Sequence, residues 1–330
     1  TITGSNLASI IAGQQNLITE GSAGVIGGGT SNQVRADEGF IGGGNSNKVF
    51  SQGGAVLGGS TNISSGNSAV IGGGTNNSSI GSDSSILGGT INLVSGTSSS
   101  IVGGKSNNLS GTFSTIAAGS GNKVTGNEST IIGGEGNLVS GNASVIGGGR
   151  SNTVTGNNSS IGAGTGNLVS GNKSSIVGGE SNLISGNVSI IGGGTSNNIS
   201  GNQSTLVGGS GNTILGDESI LIGGKSQKVS GQSMALFAGE NNNATGTASA
   251  IIVGRSNDLQ YSQDSIINAG TGNTLTGSNE SSINAGAENN MAQSTSSAIV
   301  AGTSNSLSGS EDSSIGAGSG NSLNNSSNSS

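Results

Sequence analysis

The feature that most limits this chain is a repeat held in one phase. Taking the Asn of segments such as Gly-Gly-Glu-Ser-Asn as an anchor, it falls at Asn16 and Asn32, then every 15 residues from Asn47 to Asn257. The step then becomes 16, at Asn273, Asn289, Asn305 and Asn321, and only Gln227 replaces the Asn. In all 21 repeats a Gly stands three residues before the anchor, and Ile, Leu or Val stands six before it. Two after it an aliphatic recurs, with Ser64, Ser79 and Ala244 as the weak positions. Fixed phase over such a length marks a stacked repeat architecture, in which each unit buries its apolar side only against its neighbours.

Each repeat offers two extended stretches, Ser-x-Ile-x-Gly and Asn-x-Val-x-Gly, separated by Gly-rich turns. Strand alternation sends the Ile and the Val inward. Sixty-seven glycines and dense Ser and Asn exclude helix. The expectation is an all-β parallel β-solenoid, or β-roll, of 21 coils with two short strands per coil. At ~4.8 Å per coil, 21 coils predict a rod of about 100 Å. The repeat domain is placed at 1–323, with 15-residue coils to about 257 and 16-residue coils after, and 324–330 reads as a Ser/Asn-rich tail.

Composition removes most chemistry. The absence of Cys and His takes away thiolate sites, disulfides, the commonest metal ligand and the commonest general base. Net charge is −7 with charges scattered, so no basic footprint for nucleic acid exists, and no apolar run approaches membrane-spanning length. Acid pairs such as Asp37-Glu38, Asp217-Glu218 and Glu311-Asp312 are sequence neighbours and point apart on a strand. Gly-rich loops precede strands and not helices, so no phosphate cradle forms. Calcium-binding nonapeptide repeats need a recurring Asp and a shorter period. No enzyme, cofactor or metal is expected.

Three sets of residues stand out. Immediately after the inward Ile, a position that faces outward carries Ile11, Leu57, Leu87, Val102, Ile132, Val177, Val207, Ile222, Phe237 and Ile252, with Gly at most other repeats. Such a stripe reads as an oligomer or lateral contact face. Two residues before the anchor, Lys225, Glu240 and Arg255 occupy consecutive repeats, as do Glu135 and Arg150. Stacking predicts an inter-coil charge ladder there, and an amide ladder at the anchor Asn. Asn-x-Ser sequons at Asn127, Asn142, Asn158, Asn172, Asn187, Asn202 and Asn279 mark one turn, as glycan acceptors or simply as good turn chemistry.

The run from Ser189 to Asn202, Ser-Ile-Ile-Gly-Gly-Gly-Thr-Ser-Asn-Asn-Ile-Ser-Gly-Asn, is similar to repeats of bacterial and viral surface fibres. It also resembles the β-roll heads of trimeric autotransporter adhesins, although the period here is longer and Asn replaces their Ala. That resemblance implies a left-handed roll, three chains per fibre and a role in attachment. The segment Gly309–Gly320 resembles ice-nucleation protein repeats. The leading expectation is an extracellular structural fibre or filament subunit that associates with itself. An adhesin head or viral tail-fibre shaft that meets a host receptor or glycan comes next, both at a cell or virion surface. Ice binding ranks last: Thr-x-Thr occurs only at Thr1/Thr3, Thr153/Thr155 and Thr274/Thr276, and the same column elsewhere holds Lys48, Leu93, Lys123 and Leu168.

Overall fold

The computed structural model describes residues 1–329. It is an all-β parallel β-solenoid with two short strands per coil, and no helix occurs among the described residues. The chain forms two compact units, Thr1–Gly166 and Asn167–Ser330. Both are wound on the same plan.

In the first unit the two strands of a coil are pairs such as Ser85–Ile86 and Leu93–Val94. Ser85 and Ile86 pair in parallel with Ser100 and Ile101, and Leu93 and Val94 with Asn108 and Leu109. Every partner is one repeat away, so identical positions stack. Ile86, Val94, Ile101, Leu109, Ile131, Val139 and Ile146 are all fully buried. Ile146 pairs directly with Ile161. The second unit repeats the plan, with Ile190 and Ile191 on Thr205 and Leu206. In its 16-residue coils Thr274, Leu275 and Thr276 pair with Asn290, Met291 and Ala292. Strands of two or three residues suffice because bonding continues through the turns. The N–H of Leu87 reaches Ile101 O at 3.0 Å, and that of Thr90 reaches Gly104 O at 2.9 Å. Backbone groups that would otherwise be orphaned are thus met by the next coil.

Two polar ladders line the corners inside the aliphatic columns. The first is the anchor Asn, buried in nearly every coil. The N–H of Asn152 donates to Oδ1 of Asn137 at 3.0 Å, while Asn137 Nδ2 donates to Gly133 O at 3.1 Å and Gly149 O at 3.0 Å. The expected amide-on-amide ladder is therefore mainly side chain to backbone, because the amide spans the corner and staples three main-chain groups. The second ladder is formed by serine. Ser129, Ser144 and their equivalents are buried, with the Ser144 N–H donating to Ser129 Oγ at 3.2 Å and Ser129 Oγ donating to Gly141 O at 2.9 Å.

The recurrent Gly three before the anchor has φ near +90°, as at Gly134, and a Cβ there would strike the Gly149 carbonyl. Two further residues per coil are left-handed and usually not Gly, for example Glu128 and Ser151. The sixteenth residue enters at one of these turns. In Thr276-Gly277-Ser278 the extra left-handed Gly277 swings Ser278 inward, where the Ser294 N–H donates to Ser278 Oγ at 3.0 Å.

Two of the three weak coils are repaired by hydroxyls. Ser64 Oγ donates to Ala69 O at 2.7 Å, and Ser79 Oγ meets Ser84 Oγ at 2.7 Å. The segment expected to be a tail differs: Ser322–Asn324 pairs with Ser306–Ser308, and Ser327 bridges to Glu311. Its Ser and Asn side chains repeat the ladder chemistry of the preceding coils, so residues 324–329 continue the winding.

Candidate contact face

Each inward Ile of the first strand is flanked by two outward residues, one before it and one after it. We call these the leading and trailing columns. Ser100 and Val102 flank buried Ile101, with Val102 47% exposed. The stripe expected from sequence is the trailing column, and the structure places Ile11, Leu57, Leu87, Val102 and Ile132 in the first unit at the surface. In the second unit Val177, Val207 and Ile222 are exposed, and Phe237 and Ile252 half-buried. Folding both flanking residues into a wider core is excluded by their accessibility.

The leading column was missed by sequence reasoning, and it completes the face. In the first unit Gly27, Gly42, Gly72 and Gly147 of the trailing column follow Val25, Phe40, Val70 and Val145 in the leading one. Conversely Ile11, Leu57, Leu87, Val102 and Ile132 follow Ser9, Ala55, Ser85, Ser100 and Thr130. Bulk is never on both sides of a coil within this unit; it sits on one side or the other, except at Thr115/Ala117 and Ser160/Gly162, which carry little on either. A local cause contributes: a Cβ at Gly72 would crowd the Leu87 carbonyl oxygen of the next coil, so bulk there must come from Val70. The second unit keeps the rule at Val177/Ser175, Ile190/Gly192 and Val207/Thr205 and breaks it at Ile220/Ile222.

This face carries no charge. None of the 9 basic and 16 acidic residues stands in either column. The opposite sheet differs, bearing Arg35, Lys48 and Lys123 in the first unit and Lys228 and Asp258 in the second. It also bears exposed hydroxyls, Ser95, Ser110, Thr125, Ser140 and Thr155 in the first unit and Ser170, Ser185 and Ser200 in the second. The Thr-x-Thr pairs Thr153/Thr155 and Thr274/Thr276 lie on this charged sheet.

Charges gather at the corners. Arg150 and Glu135 approach to 2.7 Å; Glu240 lies 3.1 Å from Arg255 and 3.9 Å from Lys225. Arg150–Glu135 is exposed and Glu240 half-buried, and each pair contributes at most about 1 kcal/mol.

At the sequon turn the N–H of Asn127 donates to Asn142 Oδ1 at 2.8 Å, and that of Asn187 to Asn202 Oδ1 at 2.9 Å. Asn172 donates likewise to Asn187 at 2.8 Å, and Gln263 to Asn279 at 3.1 Å. Asn158 is not in this column. Its neighbour Asn157 is, accepting from the Asn142 N–H at 2.8 Å, while Asn158 takes the left-handed position with φ 54°. The sequon serines Ser129 and Ser144 lie in the buried ladder. Inter-coil bonding by itself accounts for this motif.

Among the described residues no cluster of three or more His, Cys, Asp or Glu is placed to hold a metal, and no helix is long and apolar enough to cross a membrane. The surface hollows are shallow. One of about 290 Å³ lies beside Tyr261, Gln263 and Asn279, where the repeat lengthens. What each unit presents is a charge-free sheet face on a fold of the β-roll class. Within that class, a family model described as a grass antifreeze beta roll matches residues 109–208. No curated protein matches the chain.

Proposed function

We propose that the chain binds ice through its charge-free sheet face. One observation carries the reading: over all the repeats two adjacent outward columns exclude charge, while charged residues stand on the opposite sheet and at the corners. A charged side chain holds a tightly bound hydration shell that does not fit a crystal lattice. Hydroxyls such as Thr115 and Thr130 and aliphatics such as Val102 and Val145 tolerate ordered water, the first by hydrogen bonding and the second by being caged. Stacking repeats this surface every ~4.8 Å, close to the spacing of water oxygens in ice. The antifreeze description of the matching family model supports the same reading.

The test is thermal hysteresis and ice-crystal shaping with the intact chain. Thr130→Lys places a cation on the face and is expected to abolish activity. Thr125→Lys, on the opposite sheet, is expected to leave it unchanged. A wild-type protein that neither shapes nor slows ice crystals would defeat the proposal, as would equal sensitivity of the two sheets.

A second reading, a rigid fibre or filament segment outside the cell, draws on the stacking itself, which converts chain length into stiff length coil by coil. Electron microscopy of purified material separates it, since continuous fibres would favour the scaffold role.

A further inference from the structure

The alternation of bulk between the two columns has no use in ice binding, which favours a column of uniform height. It has a use in pairing. If two faces meet about a two-fold axis running along the coil stack, each coil faces the same coil of the partner with its columns exchanged. The trailing residue of one copy then lies opposite the leading residue of the other. Wherever one column is bulky and its companion small, bulge meets gap on both sides of the axis. Such self-complementarity is what an isologous contact requires.

We propose that the charge-free face of the first unit is a self-pairing surface, on which a second copy of this chain packs parallel and in register. Val102 of each copy lies over Ser100 of the other, Leu87 over Ser85, and Val70 over Gly72. Because no coil of this unit is bulky on both sides, the two sheets can keep one separation, about 10 Å in sheet-on-sheet packing. The occupant is a like copy because the columns hold no charge, so chains of net charge −7 meet without their like charges facing. The pairing does not depend on the ice reading. Where both hold, pairing covers the ice face, and activity per chain falls as concentration rises.

The contact is modest in size. Eleven coils at ~4.8 Å, about 10 Å wide, give roughly 500 Å² per copy, below the ~800 Å² of a standard stable interface. A reversible, concentration-dependent dimer is therefore expected.

Sedimentation equilibrium of the full chain at ice-free temperatures measures this directly. Ser100→Lys should weaken dimerisation roughly tenfold or more, and Ser95→Lys on the other sheet should not. The native chain has no Cys, so crosslinking reads the register. A mixture of Ser100→Cys and Val102→Cys chains should be crosslinked by a short bismaleimide faster than either alone, because like columns lie farther apart across the axis and the sheet separation exceeds the reach of a direct disulfide. Circular dichroism confirms that each variant keeps its β spectrum. A wild type that stays monomeric at every concentration overturns the proposal. So does crosslinking of either single variant as readily as the mixture. Absence of ice activity at concentrations where the chain is monomeric would count against the ice reading alone.

Discussion

Replacing Asn137 tests whether the anchor amide holds the corner of each coil. Its side chain is 1% exposed and makes three bonds, accepting from Asn152 N–H and donating to Gly133 O and Gly149 O. Gly149 O also accepts from Glu135 N–H at 2.9 Å and stays partnered when the amide is removed. In Asn137→Ala the Asn152 N–H and the Gly133 carbonyl lose these bonds. At about 1–3 kcal/mol for each stranded group, reduced because the corner is only partly buried, the cost is about 2–4 kcal/mol. Asn137→Asp keeps the acceptor for Asn152 but aims a carboxylate at two carbonyl oxygens. Burial and these dipoles raise its folded-state pKa above the ordinary Asp value. A raised folded pKa gives stability that is present below the unfolded pKa and lost as pH rises through the folded one. The Asp variant should therefore recover on acidification, and the Ala variant should not share that recovery. Urea unfolding followed by circular dichroism gives the totals. Amide exchange at Asn152 gives the local effect whether or not the stack unfolds in one step. A loss under about 0.5 kcal/mol for Asn137→Ala, or unchanged exchange at Asn152, would refute the staple.

Gln227 is the natural exception. Its longer side chain reaches Gly223 O at 3.3 Å, and it accepts from Asn242 Nδ2 where an Asn would accept from the backbone N–H. Gln227→Asn should stabilise the protein by about 1 kcal/mol in urea melts. Val188 is β-branched, 51% exposed and left-handed at φ 56°, so Val188→Gly should also stabilise by about 1 kcal/mol, despite the entropy Gly adds to the unfolded chain. Glu240→Gln removes the centre of the Lys225–Glu240–Arg255 row. The expected loss is under about 1 kcal/mol and disappears in high salt, as read by thermal melts at two ionic strengths.

The winding was legible because stacking forces like residues above one another, so the Ile, Val, Gly and Asn columns announce themselves by phase. The roles of the polar columns were harder to read. An Asn repeated every coil suggests amide stacking, yet Asn137 bonds chiefly to main chain, which phase alone cannot distinguish. The buried Ser129 and Ser144 looked like turn residues because Ser is common throughout. Asn158 is hard to tell from its neighbour for a related reason: Asn157 and Asn158 both begin sequons, and only the coil geometry says which one accepts the inter-coil bond. On the candidate face the trailing aliphatics were visible, but each column taken singly is irregular. The order appears only when Val70 is set beside Gly72 and Ser100 beside Val102. The Thr-x-Thr pairs that bear on ice binding lie on the sheet that carries Lys48 and Lys123, so they say nothing of the uncharged sheet.

Since the main-chain bonds of a coil run to the coils directly before and after it, the number of coils is not fixed by the packing. Deleting one complete 15-residue turn, such as 138–152, would let 137 meet the following turn in the same phase and leave every surviving partnership intact. Removing half a turn would set Ile beneath Val and Asn beneath Ser. Genes for such chains can grow and shrink by unequal exchange between near-identical segments, with natural variants differing in length by whole turns.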